Sequence, residues 1–183
     1  MTYALDSIKV LYNEDTIARR IDELADEIAT SNYQNLLVVP VLKGSFVFAA
    51  DLIRCMHRAG LAPEIEFIHL SSYGTGTKSS GQVRVLRDVE SDVTGRDILL
   101  VDDILESGRT LAFARKQLSE RGANRVEVAA LLDKPGHRAA DIDADHVGFV
   151  CPDKFVVGYG MDVANAWREL PFIGYVEPEN QGE

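Results

Sequence analysis

The stretch DILLVDDILESGRTL, residues 97–111, decides how this chain is read. Ile98, Leu99, Leu100 and Val101 form an aliphatic run that stops at two adjacent carboxylates, Asp102 and Asp103. Such a run predicts a strand over 97–101 buried on both faces, as in a parallel sheet. Neighbouring carboxylates repel, so the pair points to a cation, a polyol or solvent. Ser107, Gly108, Arg109 and Thr110 follow where a loop becomes a helix over 109–121, which closes at Gly122. Backbone N–H groups at such a start lack partners, and the helix dipole favours negative charge. Gly108 permits a close backbone approach, and the hydroxyls of Ser107 and Thr110 add donors. A phosphate is the expected guest; the plainer alternative is that Ser107 only caps the helix.

Working outward, LLVVPVL (36–42) and VEVAALL (126–132) are further buried-strand runs, and EIEFIHL (64–70), QVRVLR (82–87) and HVGFV (146–150) read as strands too. Ile17, Ile21, Leu24 and Ile28 recur at helical spacing, so 14–30 is an amphipathic helix with Asn13 as its N-cap. A second helix runs from Phe46 to Gly60, a residue suited to ending it. Phe46, Val47 and Phe48 on that helix either pack inward or meet a partner surface. Buried strands alternating with helices imply an α/β fold, a mostly parallel sheet flanked by helices. Ligands in such sheets bind beyond the carboxyl ends of the strands. Lys43-Gly44-Ser45, Asp102 to Thr110 and Asp133-Lys134 all place polar residues there.

The 183 residues suit one domain, and 46% hydrophobic content supports a proper core. No run approaches the roughly 18 apolar residues needed to span a bilayer. The opening residues lack the basic flank and apolar stretch of a secretory signal, so a cytoplasmic location with no membrane contact is expected. Cys55 and Cys151 lack metal-type spacing and read as buried reduced thiols. A formal net charge of −10 argues against general nucleic-acid binding, which rests on clustered Lys and Arg. Small anionic substrates remain compatible with it, since a few placed cations suffice. Residues 178–183 read as a frayed acidic tail.

The common phosphate motifs do not fit. A Walker-type reading of Asp102-Asp103 needs GxxxxGKS/T, and Gly74 to Ser79 has the wrong spacing. The dinucleotide fingerprint GxGxxG is absent as well. Adjacent carboxylates beside a phosphate cradle suit a phosphorylated sugar and Mg²⁺. Ile98 to Thr110 resembles the phosphoribosyl-pyrophosphate motif of type I phosphoribosyltransferases: an apolar strand, two acidic residues, and a loop ending Ser/Thr-Gly-x-Thr. Leu42 to Ser45, Ser72-Tyr73-Gly74, Leu132 to Pro135, Pro152 to Tyr159, and Asp162 with Trp167 to Gly174 resemble, in order, further elements of the hypoxanthine phosphoribosyltransferases. The resemblance covers about residues 8–176.

It implies the type I phosphoribosyltransferase fold, with a small hood built from the terminal segments. It also implies a purine-salvage enzyme joining hypoxanthine, and guanine too, to phosphoribosyl pyrophosphate, yielding IMP or GMP and pyrophosphate with Mg²⁺. Carried over, Lys43, Gly44 and Arg168 hold pyrophosphate, while Asp102 and Asp103 meet the ribose and Mg²⁺. Ser107, Gly108, Arg109 and Thr110 hold the 5′-phosphate. Lys134 donates to purine O6, Phe155 stacks on the base, the Val156 backbone reads its edge, and Asp162 holds a second Mg²⁺. Ser72 and Tyr73 belong to a mobile lid over 71–81, and the family suggests a homodimer or homotetramer. It often has a cis peptide at the position of Leu42-Lys43. Glu106 departs from the family, which usually has Asp there to handle the purine N7 proton; the expectation is that Glu106 takes that role. Two other readings compete: a regulator of the same fold that binds nucleotides and RNA or DNA, and a transferase for another base such as xanthine.

Overall fold

The computed structural model of the protein describes residues 8–72 and 83–176, so the expected tail at 178–183 lies outside the described residues. In chain order its elements are β1 (Ile8–Tyr12), α1 (Glu14–Ala29), β2 (Leu37–Leu42), α2 (Phe46–Arg58), β3 (Glu64–Ile65), β4 (Ile68–Ser72) and β5 (Val83–Arg87). They continue with β6 (Asp97–Leu105), α3 (Arg109–Glu120), β7 (Arg125–Asp133), β8 (His146–Val150), β9 (Phe155–Val157) and β10 (Ile173–Val176). The main sheet has the order β5-β4-β2-β6-β7-β8, with β3 also on β2. Its pairs are parallel except β4–β5.

Because side chains alternate along a strand, each central strand feeds two cores. Leu37, Val39, Ile98, Leu100, Val128 and Ala130 pack with Leu111, Ala114 and Leu118 of α3. Val38, Leu99, Val101, Ala129 and Leu131 pack with Ile17, Ile21 and Leu24 of α1 and with Phe48, Leu52 and Met56 of α2. The helices start and stop for local reasons. The Asn13 side chain accepts the Thr16 N–H at 2.9 Å, and Glu14 and Asp15 occupy the first turn, where the dipole favours them. Cys55 and Cys151 are buried and unpaired with each other, as expected. Among the described residues no helix is long and apolar enough to cross a membrane.

Two strand assignments change. The stretch 64–70 is two strands, because β2 pairs with β3 at Leu37 and Val38 and with β4 only from Val41. Pro40, with no N–H to give a ladder, lies level with the break. The strand at 97–101 extends to Leu105, carried on by pairing with β7 as far as Asp133. Asp102 and Asp103 therefore stand within the strand, not after it. The hood is a small antiparallel sheet, β1-β10-β9, joining the two ends of the described chain. Val156 and Ile173 bury toward the α1/α2 core, while Val157, Val176 and Trp167 form a separate cluster.

Candidate active site

Since β2, β6 and β7 are parallel neighbours, their carboxyl ends share one edge, and the three polar segments meet there. Asp102 is buried. Its Oδ1 accepts the Asp103 N–H at 3.0 Å, and Asp103 Oδ1 accepts the Ile104 N–H at 3.1 Å. Burial pushes the Asp102 carboxyl well above the usual range, and the Asp103 charge pushes it further. Burial also raises Asp103, opposed in part by local hydrogen bonds and by the Arg168 charge. These are carboxylates whose ionised forms the fold leaves short of positive charge.

The Leu42–Lys43 peptide is cis. Lys43 is exposed, and the next residue lies hard against the acidic pair: a Cβ on Gly44 would sit 1.9 Å from Asp103 Oδ2. Only a residue without a side chain lets that loop approach the carboxylate so closely. A Cβ on Gly160 would in turn sit 2.1 Å from the Gly44 carbonyl oxygen, so the loop after β9 seals against the same turn.

Beyond β6 the chain turns through Glu106 and Ser107 into α3. The cap of α3 is Gly108 at φ +76°, with no side-chain capping bond, so Ser107 does not serve as the cap. A Cβ at 108 would also meet Ile142 Cγ2 at 2.5 Å. The turn's carbonyls are held from outside: Arg138 Nη1 donates to the Leu105 and Glu106 oxygens at 2.8 and 2.7 Å, and Ala139 N donates to the Ser107 oxygen at 2.9 Å. Arg138 is itself paired with Asp133. A cavity of about 280 Å³ lies in the turn, lined by Asp102, Glu106, Ser107, Gly108 and Thr110 among others. Arg109 begins α3 beside it.

A second cavity, about 210 Å³, is lined by Asp103, Glu106, Lys134, Phe155, Val156 and Asp162, with Ile104, Lys154 and Met161. Lys134, only 8% exposed, puts Nζ 2.8 Å from Glu106 Oε1 and 3.2 Å from Asp153 Oδ1. Burial works against its charge, but the two carboxylates outweigh burial and raise its pKa. Lys134 is thus held as a cation that only donates. Phe155, 56% exposed, presents its ring at the start of β9, while Val156 beside it is buried. Asp162 accepts the Asn165 N–H at 2.7 Å and pairs with Arg168. Arg168 also donates to the Gly160 oxygen at 2.7 Å, and it borders a larger groove of about 660 Å³ between α1, α2 and residues 159–171.

Every expected site residue within the described range lies on or beside this edge. Ser72 ends β4, and Tyr73 with the remainder of the expected lid lies outside the described residues. Asp153, His137 and Arg138 carry no expectation from the sequence. Asp153 stands within the PDKF stretch, which hints at it; Arg138 gives no local signal for its grip on the turn, since the two carbonyls it holds lie 32 and 33 residues away.

A family model described as the phosphoribosyl transferase domain matches residues 7–164. The bifunctional protein TilS/HprT of Listeria monocytogenes serotype 4b (strain F2365) is 45% identical over 179 residues, covering 97% of this chain but 27% of that protein. The chain thus spans about a quarter of the length of such relatives. The hypoxanthine-guanine phosphoribosyltransferase of Bacillus subtilis (strain 168) is 45% identical over 175 residues, 94% of this chain and 95% of that protein. The solved structure of a hypoxanthine phosphoribosyltransferase from Staphylococcus aureus superposes with a TM-score of 0.89 at 39% identity, covering 97% of this chain and 96% of that one.

Proposed function

The chain belongs to the phosphoribosyl transferase family, and from that premise we propose that it is a purine-salvage transferase acting on hypoxanthine and guanine. The reaction transfers the phosphoribosyl group: the bond from C1 to pyrophosphate breaks and a bond from C1 to purine N9 forms, with inversion. The N7 proton leaves to a base. Chemistry at an anomeric carbon passes through an oxocarbenium-like state, so a neighbouring carboxylate and a well-held leaving group are what the protein must supply.

The observation that carries this reading is the cavity in which Lys134 and Glu106 stand side by side under an exposed Phe155 ring. A 6-oxopurine offers an acceptor at O6 and a proton at N7. Lys134 as a donor matches the first and the Glu106 carboxylate the second. Adenine presents an amine at C6, which a fixed donor rejects. Phe155 stacks on the base and the Val156 backbone reads its edge. The turn at Ser107, Gly108, Arg109 and Thr110 takes the 5′-phosphate, and Asp102 and Asp103 take the ribose hydroxyls. Arg168 with the Lys43-Gly44 backbone takes pyrophosphate.

Mg²⁺ fits this donor set. Among the described residues no three carboxylates, histidines or cysteines form a closed cage, and Mg²⁺ is typically held by one or two carboxylates with water and substrate phosphates. Asp102 and Asp103 would hold one ion and Asp162 a second, and when bound Mg²⁺ neutralises charge on the pyrophosphate. The exposed Phe46 beside the groove of about 660 Å³ supports assembly of copies into a dimer or tetramer. The shared burial of Val156 and Ile173 with the main core supports one domain.

The test is nucleotide formation from phosphoribosyl pyrophosphate and Mg²⁺ with hypoxanthine, guanine, xanthine and adenine in turn. Product is expected with hypoxanthine and guanine and none with adenine. No product from any 6-oxopurine overturns the reading.

A further inference from the structure

Lys134 sits in a chain of four side chains drawn from three separate segments. Glu106 Oε1 is 2.8 Å from Lys134 Nζ, Lys134 Nζ is 3.2 Å from Asp153 Oδ1, and the same Oδ1 is 2.9 Å from His137 Nε2. An ammonium has three N–H donors. One is donated to Glu106 and a second faces Asp153, which leaves one for an acceptor entering the cavity. We propose that Asp153, seated by His137, is a positioning residue that tethers Lys134 against the pull of Glu106 and so keeps both side chains set for the purine. The inference rests on the transferase reading above and deepens it.

The argument is one of competition. Glu106 and Asp153 pull the same cation, one from the turn after β6 and the other from the loop before β9. Glu106 already holds Nζ at 2.8 Å, so with Asp153 neutralised Glu106 is the carboxylate left on the cation, and Lys134 turns toward it. That turn swings the ammonium from the line to O6, while the Glu106–Lys134 pair itself persists. A glutamate reaches farther than an aspartate by one methylene, so this chain needs the counter-tether in proportion to that reach. The tether is also well placed to act without stabilising the fold. The Asp153 side chain is 68% exposed, and ion pairs so exposed contribute little to stability. His137 and then Lys134 hold the Asp153 carboxyl below its usual range, which keeps it charged.

The experiment is steady-state kinetics of Asp153→Asn and Asp153→Glu beside the unsubstituted enzyme, with thermal unfolding of each. Asp153→Asn should raise KM for hypoxanthine roughly threefold to tenfold, the range expected when one member of a coupled contact is removed. KM for phosphoribosyl pyrophosphate and the melting temperature should hold, and Asp153→Glu should recover part of the loss. In a Glu106→Asp background, where the shorter carboxylate cannot close on Lys134, the effect of Asp153→Asn should shrink. An unchanged KM for hypoxanthine, or both KM values rising together, overturns the tether. Absence of turnover in the unsubstituted enzyme instead overturns the transferase reading.

Discussion

Glu106 stands where the family resemblance leads one to expect an aspartate, shorter by one methylene, and the structure shows where that reach goes: to Lys134, 2.8 Å away. The carboxylates beside Lys134 raise its pKa and so hold it as a donor, and the pair sets a carboxylate and a donor side by side, as N7 and O6 of a 6-oxopurine require. Glu106→Gln keeps the size and the acceptor oxygen but cannot take a proton. Turnover with hypoxanthine should fall about 100-fold or more, in line with the loss of a general base, while KM for phosphoribosyl pyrophosphate stays near its starting value. Near-native turnover would remove Glu106 from proton transfer. At this scale the sequence marked the position well, because a departure within a motif is visible; the partner Asp153 was not, because its role exists only across segments.

β6 carries buried carboxylates near both ends, and their opposite treatment separates support from site. At its start Asp97 accepts from Gln34 N at 2.7 Å, Asn124 Nδ2 at 2.7 Å and Arg125 Nη2 at 3.0 Å. Burial alone would raise its pKa, yet these donors outweigh burial and lower it below 3.8. Toward its end Asp102 is raised by burial and by the Asp103 charge, and Asp103 is raised by burial against the hydrogen bonds around it. Groups held out of their ordinary range without full compensation are what a binding site looks like. Asp97→Ala should lower stability by about 2–4 kcal/mol at neutral pH, since it leaves three donors without their acceptor. A lowered carboxyl contributes stability that is present above 3.8 and lost as pH falls through its native value. The gap between the two proteins should therefore narrow below about pH 4 in denaturant titrations. A constant gap down to pH 2.5 would contradict the assignment.

At the scale of the whole molecule, the hood and the main sheet divide the work: β6 with α3 holds the turn expected to take phosphate, and β9 brings Phe155 and Val156 to the cavity that Glu106 and Lys134 line. Val157, fully buried, anchors β9 in the small cluster with Trp167 and Val176. Val157→Ala should lower stability by about 1–3 kcal/mol and raise KM for the base more than KM for phosphoribosyl pyrophosphate. Equal rises in both would mean that the hood does not act separately on the base. The aliphatic runs at 36–42, 97–101 and 126–132, the helical spacing of α1 and the polar ends of three strands were enough to determine a helix-flanked parallel sheet with an acidic binding edge. Burial on both faces and strand alternation are written locally, residue by residue. Tertiary structure alone decided that β6 runs on through Asp102 and Asp103 to Leu105, that the stretch 64–70 breaks beside Pro40, and that Arg138 grips the turn from outside. It alone decided, too, that Lys134 is shared between Glu106 and Asp153. Each of these depends on register and on contacts between distant segments, and a one-dimensional pattern does not carry the geometry that brings such residues within a hydrogen bond of one another.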